Sequence, residues 1–143
     1  MKRTDRFLEC ALFGGAAGGT AEILWIAAYG SASPASALEV ARGVTATVLP
    51  AAAELAAAPL IGIAIHMVLS LALGLILAKM LLGLARGSLM TGALGALACV
   101  WALNFLVVLP LVNPAFVTLM PFSVTLASKL LFGAALGWTL QRS

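Results

Sequence analysis

The sequence predicts an all-α integral membrane protein, one antiparallel bundle of four transmembrane helices with an amphipathic helix outside the cytoplasm. Of its residues, 63% are hydrophobic and 9% are charged, whereas about a quarter of the residues in soluble domains are charged. The stretch 60–77, LIGIAIHMVLSLALGLIL, has His66 as its only ionisable residue. About twenty such residues in a helix match a hydrocarbon layer of roughly 30 Å. We therefore expect one domain, 1–143, seated in a lipid bilayer.

Four stretches have the length and composition of membrane spans, and we place them at residues 7–29, 59–80, 88–109 and 122–140. The first follows a basic start, MKRTDR, but its apolar run is longer than that of a signal peptide, so we expect it to be retained. The connection GLARGS after the second span is short enough for an antiparallel hairpin. The connection LPLVNPAFVTLMPF after the third stays apolar and should lie along the outer interface.

Small residues mark the faces on which these spans should pack. Spaced glycines let two helix backbones approach closely, which is the main source of helix association in lipid. A nucleotide-binding loop is a poor interpretation, because no strand precedes the glycines of the first span and no Lys-Ser/Thr follows them. The glycines are Gly14, Gly15, Gly18 and Gly19, two interleaved pairs in the first span, and Gly133 and Gly137 in the fourth.

Residues 30–59 are too polar to span a membrane and contain three prolines. A Ser-Pro pair and apolar residues at helical spacing predict an amphipathic helix over 34–48, lying along the membrane interface. Glu39 and Arg42 stand at i and i+3, where they could form an ion pair. This helix either covers the mouth of the bundle or serves as a gate or partner surface. Its apolar face would hold Leu38, Ala41, Val44 and Val48.

The cations give the orientation. One side of the predicted spans carries Arg42, and the other carries Lys2, Arg3, Arg6, Lys79, Arg86 and Arg142. Positive charge accumulates on the cytoplasmic side of short loops, so both termini should be cytoplasmic and residues 30–59 should face outward. Cations scattered in ones and twos do not form a nucleic-acid footprint, and no nucleic-acid partner is expected.

Each predicted span contributes one strongly polar residue, and the four are Glu22, His66, Asn104 and Lys129. Counted from the outer ends of the spans, all four lie roughly 8 to 10 Å deep. Unpaired charges inside a membrane are costly, so these groups should turn inward and meet. Glu22 and Lys129 form the natural ion pair, which His66 and Asn104 would complete as a hydrogen-bonded network. Hydroxyls could come from Thr20, Thr125 and Ser128.

This polar layer has more than one interpretation. It could fix the register of the helices, or it could line a small cavity that handles a proton, an ion or a polar ligand, since histidine titrates near neutral pH. Haem binding through His66 would need a second axial ligand from another chain or from one of three methionines, namely Met67, Met90 or Met120.

Other site chemistries have weaker support in the sequence. The repeated ligand pairs of bundle metal sites are missing, so we expect no metal centre. Ser70, at i+4 from His66, is more typical of helix packing than of a nucleophile, so we expect no catalytic residue. Cys10 and Cys99 lack the spacing of a disulfide framework or a metal site, and we take them as packing residues.

Several segments resemble the small four-span bacterial inner-membrane proteins grouped as families of unknown function. They are GGAAGGTAEILW in the first span, IAIHMVLSLALG in the second, and WALNFLVVLP followed by SKLLFGAALG. The resemblance covers nearly the whole chain. It implies a bacterial inner (cytoplasmic) membrane and a four-helix bundle, and it implies no activity, cofactor or substrate.

The sequence favours a non-enzymatic accessory or assembly subunit of a larger bacterial membrane complex. Four helices of this length bury little surface among themselves, so their Gly- and Ala-rich faces are free for other membrane subunits. The alternative is a small homo-oligomeric transporter or channel whose path follows the polar layer. A further alternative is a haem- or metal-binding membrane protein.

Overall fold

The computed structural model describes residues 3–81 and 83–142, with side chains from Phe7 onward. Lys2 and the side chains of Arg3 and Arg6, which contributed to the predicted orientation, lie outside the described part. The described residues contain helices and no strand. The α-helices are α1 (Arg3–Gly30), α2 (Ala37–Val48), α3 (Ala58–Leu81), α4 (Leu89–Leu103), α5 (Leu109–Val112), α6 (Pro114–Val117) and α7 (Phe122–Leu140).

Within the described residues, four helical segments are long and apolar enough to cross a membrane. They are Phe7–Gly30, Ala58–Leu81, Arg86–Val112 and Phe122–Leu140. These bounds agree with the predicted spans to within two or three residues at each end. They indicate a multi-pass membrane protein.

Among the long helices, α1 packs between α3 and α7, and α7 packs between α1 and α4. Gly14 faces Leu136 whereas Gly18 faces Phe132, so α1 and α7 run in opposite directions. The same reasoning makes α1 antiparallel to α3, and α7 antiparallel to α4. The start of α1, the end of α3, the start of α4 and the end of α7 therefore meet at one end of the molecule. We call it the basic end, because Lys79, Arg86 and Arg142 lie there.

The predicted glycine faces are the contact faces of these helices. Gly14 and Gly18 face α7, Gly15 and Gly19 face α3, and Gly133 and Gly137 face α4. The closest approach is between α1 and α3, where a Cβ added at Gly74 would lie 2.7 Å from the Cα of Gly15. Gly74 was not singled out from the sequence, because its partner glycine lies on another helix and no spacing within α3 reveals it.

The apolar core lies toward the basic end. Its buried residues are Ala11 of α1, Leu77, Ala78 and Leu81 of α3, Ala93 and Leu97 of α4, and Phe132, Leu136 and Leu140 of α7. All four long helices contribute to it. The buried interior of this half of the molecule is therefore mainly apolar.

Helix α2 begins at Ala37, later than predicted. Side chains near its ends form hydrogen bonds with backbone groups that lack helical partners. Ser36 is the N-cap, with Glu39 N–H donating to Ser36 Oγ at 3.2 Å and Ser36 N–H donating to Glu39 Oε2 at 2.6 Å. The hydrogen bond from the Ser36 backbone holds the pKa of Glu39 below its usual value. Arg42 Nη1 instead donates to the carbonyl of Ala53 at 2.9 Å. The predicted Glu39–Arg42 ion pair is therefore wrong, because each side chain is used by nearby backbone groups that lack helical partners.

The predicted apolar face of α2 is also partly wrong. Val40 and Thr45 are buried, whereas Leu38 is 63% exposed. Thr45 Oγ1 donates to the carbonyl of Ala58 at 2.6 Å, and the Ala41 carbonyl lies against Gly62. A close backbone contact and a buried hydrogen bond thus determine the face of α2 more strongly than the largest side chains do.

The third span contains a π-helical turn, Asn104–Val108, and continues past its predicted end at 109 as α5, which ends at Val112. Leu109 N–H donates to the Asn104 carbonyl, five residues back. Pro110 has no N–H and its ring crowds the carbonyl four residues before it, which a wider turn relieves. After α5, Asn113 caps α6 and its Nδ2 donates to Thr47 Oγ1 of α2 at 3.0 Å. The apolar connection thus packs against α2 at the end opposite the basic end.

The α1–α3 contact can be tested with Gly15→Ala. The new Cβ would lie 2.8 Å from the Ser70 carbonyl oxygen, so the helices must separate, and we expect a loss of about 1 to 3 kcal/mol of stability. Thermal unfolding in mild detergent measures it. The matched control is Gly95→Ala on α4, where an added Cβ meets nothing within 4 Å. Equal melting temperatures for the two variants would contradict the packing described.

The capping box of α2 should make stability depend on pH through Glu39. Because its folded-state pKa is lowered, its contribution is complete above the usual value of about 4.3 and is lost as the pH falls below it. We expect the melting temperature of the wild type to exceed that of Glu39→Gln near neutral pH, and this gap to close on acidification. Glu54→Gln, an exposed carboxylate outside the capping box, is the control. A gap that does not change with pH would exclude this role.

Candidate functional site

The polar residues of three long helices meet around the carboxylate of Glu22. Glu22 is on α1 and is 2% exposed. Lys129 Nζ of α7 lies 2.7 Å from Oε1 and 2.9 Å from Oε2, and Ser128 Oγ donates to Oε1 at 2.9 Å. The predicted Glu22–Lys129 ion pair is therefore present. Ser128 supplies one of the predicted hydroxyls.

Close packing on both sides of Glu22 positions it. One turn toward the basic end, Gly18 lies against the ring of Phe132 on α7, and Gly19 lies against Ser70 on α3. One turn in the other direction, Trp25 Nε1 donates to the Val124 carbonyl of α7 at 3.0 Å. The carboxylate is thus enclosed where α1 contacts its two neighbours.

His66 of α3 is the third ionisable member of this ionic cluster, which we define as Glu22, His66, Ser70, Ser128 and Lys129. Its Nε2 lies 3.5 Å from Glu22 Oε2 and 3.4 Å from Ser70 Oγ. His66 is 25% exposed and Lys129 is 17% exposed, so these two residues carry the cluster to the surface of the chain.

The cluster balances its own charge. One carboxylate faces one ammonium group, and a neutral imidazole adds none. Every buried side-chain nitrogen and oxygen in the described part of the chain has a hydrogen-bond partner. A buried ion pair recovers its desolvation cost only when its remaining hydrogen-bonding positions are filled, and Ser128 fills one of those of Glu22.

Asn104 does not join the cluster, and the prediction of a layer shared by all four spans is wrong for α4. Gly133 faces Ala93 and Leu94, and Trp101 Nε1 donates to Thr125 Oγ1 at 2.9 Å. This register places Asn104 level with the first residue of α7, about 10 Å beyond Lys129 along the helix. The predicted depth assumed that the third and fourth spans begin and end at the same level, whereas the third span runs on to Val112, beyond the level at which α7 begins.

The other predicted polar and aromatic residues have separate roles. Thr125 accepts from Trp101 rather than from the cluster, and Thr20 is exposed. Trp101 packs against Phe105 and Phe122, with ring centroids 6.2 Å and 6.0 Å apart. The Trp101–Phe122 contact joins α4 to α7 between the ionic cluster and the end opposite the basic end.

The geometry around His66 bears on haem ligation. Its Nε2, which a haem iron would need, faces Glu22 and Ser70. Met67 is its neighbour in sequence and so points about 100° away around the helix. Met90 lies beside Gly137, near the basic end, and Met120 lies just before α7 at the other end. None of these three methionines is therefore placed opposite His66 Nε2.

Neither a metal-binding group nor a related protein indicates a function for the site. Among the described residues, no group of three or more His, Cys, Asp or Glu side chains is placed to hold a metal ion. We compared the chain with protein-family models, curated proteins and solved structures, and none of them matched.

The ion pair predicts a characteristic pattern of stability in three variants. Glu22→Gln and Lys129→Met each leave one buried charge without its partner, and each should cost about 3 to 5 kcal/mol. The double variant removes both charges and should recover most of that loss. Unfolding in mixed detergent micelles measures all three. Additive losses in the double variant would show that the two groups do not interact.

Proposed function

We propose that the protein is a non-enzymatic accessory or assembly subunit of a larger complex in a bacterial inner membrane. In this proposal it spans the membrane four times as an antiparallel bundle, with α2 outside the cytoplasm. The observation that carries the proposal is the outward face of α4. The exposed side chains on that face are small, whereas the other spans present large aliphatic side chains to their surroundings.

The face consists of Thr91, Gly95 and Cys99, spaced four residues apart and all exposed. A Cβ added at Gly95 would meet nothing within 4 Å. By contrast, the exposed positions of α3 include Val68, Leu69 and Ile76. Small residues permit close helix approach in lipid, so the α4 face fits another helix better than it fits lipid chains.

The position of α4 at the edge of the packing order supports the same proposal. It packs mainly on α7 among the long helices. In the most apolar window of its span 17% of the residues are buried, against 44% for α7. A span with so little contact inside its own chain gains most from a neighbour supplied by another subunit.

The ionic cluster favours a supporting role over conduction through a single chain. Its charges are paired, and the buried residues between it and the basic end belong to the apolar core. A transporter or channel, the alternative function, would therefore need a path between copies of the chain. The partial exposure of His66 and Lys129 is the observation that supports the transporter or channel alternative.

The orientation in this proposal follows the cations. Lys79, Arg86 and Arg142 lie at the basic end, and Arg142 stacks on Trp138 with 3.5 Å between its Cζ and the ring centroid. Cation accumulation favours the cytoplasm for that end. Both termini would then be cytoplasmic, with α2 and α6 on the opposite side of the membrane.

The proposal is tested by the mass of the intact complex extracted from the native membrane in mild detergent. We expect a hetero-complex of fixed stoichiometry. A chain that runs alone would contradict the proposal, and a colourless homo-oligomer would favour the transporter alternative. An absorption spectrum of the same sample tests the haem alternative.

A pair of variants tests the docking face itself. Gly95→Leu should reduce recovery of the complex at least about tenfold, because a bulky side chain keeps the partner helix from close approach. It should leave the melting temperature of the chain unchanged, since the position is open. The matched control is Ala72→Leu on an exposed position of α3. Equal recovery for both variants would exclude the α4 face as the interface.

A further inference from the structure

We propose that the ionic cluster is a proton-binding site in which Nε2 of His66 takes up a proton and the carboxylate of Glu22 stabilises it. This inference goes beyond a supporting role in a complex and does not depend on it. It rests on the placement of three ionisable groups and two hydroxyls on three helices.

The hydrogen bonds around His66 suit both protonation states. In the neutral state, Nε2 accepts from Ser70 Oγ, 3.4 Å away. When hydronium gives its proton to the Nε2 lone pair, an N–H bond forms and water leaves. That N–H then donates to Glu22 Oε2, 3.5 Å away, and the Ser70 hydroxyl turns away. The proton returns to water by the reverse step.

The electrostatic surroundings of His66 consist of a few groups. From α1 it faces the Glu22 carboxylate, and from α7 it faces the ammonium group of Lys129. On its own helix the nearest polar side chain is Ser70. Helix α4 has no charged residue, and the charged residues of α2, Glu39 and Arg42, bond to backbone groups at the far end of the molecule. Proton uptake therefore changes the charge of the cluster from zero to plus one.

Access to the site is through His66. Glu22 is 2% exposed, whereas the His66 side chain is 25% exposed, so a proton from outside reaches the imidazole before the carboxylate. Once protonated, His66 competes with Lys129 for the same two oxygens. The carboxylate of α1 then divides its interactions between α3 and α7, and proton binding alters how tightly α1 holds each neighbour.

The test uses the fact that His66 is the only histidine in the chain. Protein labelled with ¹⁵N-histidine, purified with a histidine-free tag and placed in lipid bilayers, gives solid-state NMR signals from one imidazole. We expect a single transition from neutral to doubly protonated imidazole between about pH 5 and 8. In the wild type, the ¹³Cδ signal of Glu22 should move with the same midpoint. An imidazole that keeps one form throughout, or a Glu22 signal that does not follow it, would overturn the proposal.

Two charge variants and one neutral control separate proton binding from a structural role. Lys129→Met leaves Glu22 to His66 alone and should raise the midpoint by at least about one pH unit, and Glu22→Gln should lower it by a similar amount. Ser70→Ala changes no charge and should move the midpoint less than either. A midpoint that stays constant in all variants that fold would also overturn the proposal. The wild-type measurement decides the matter if neither charge variant folds.

Discussion

The structure depends on the contact between the Glu22 carboxylate and the Lys129 ammonium group inside two apolar helices. Either charge alone would be costly in a membrane, so α1 and α7 must stay close and in register. The glycines of α1 make that closeness sterically possible, because Gly14 and Gly18 meet α7 directly and Gly15 and Gly19 meet α3. Packing and charge therefore support each other: the glycines bring Glu22 Oε1 to 2.7 Å from Lys129 Nζ, and the ion pair holds the helices in register.

The features that were predicted correctly follow from helix geometry alone. The spacing of glycines identifies a contact face whatever the partner is, and the depths of Glu22, His66 and Lys129 could be counted because α1, α3 and α7 end close to where their apolar stretches end. The predicted place of Asn104 in the polar layer is wrong, because the third span, with Pro110 and the π-helical turn, continues past the start of α7. The Glu39–Arg42 pair failed because spacing does not reveal that backbone groups at the ends of α2 need those side chains. Whether any of these residues acts in a complex or binds a proton was not predictable from spacing.

The two halves of the molecule have different physical characters. Toward the basic end, apolar side chains of all four long helices fill the core. Toward the other end lie the ionic cluster, the aromatic contacts of Trp101, and the hydrogen bonds that join α2 to α3 and α6. A proton-binding site in the polar half and a docking face on α4 are compatible, because α7 contacts both α1 and α4. A change in the contact between α1 and α7 would thus be transmitted to α4, the helix that carries the proposed docking face.

The most direct test of the account is the proximity of Glu22 and Lys129 in a lipid bilayer. Solid-state NMR with dipolar recoupling can measure the contact between Lys129 Nζ and the carboxyl carbon of Glu22. The account predicts a strong cross-peak, consistent with the 2.7 Å between Nζ and Oε1, that disappears in Lys129→Met. A spectrum of folded wild-type protein without this cross-peak would contradict it, because α1 and α7 would then be held together by something other than this ion pair.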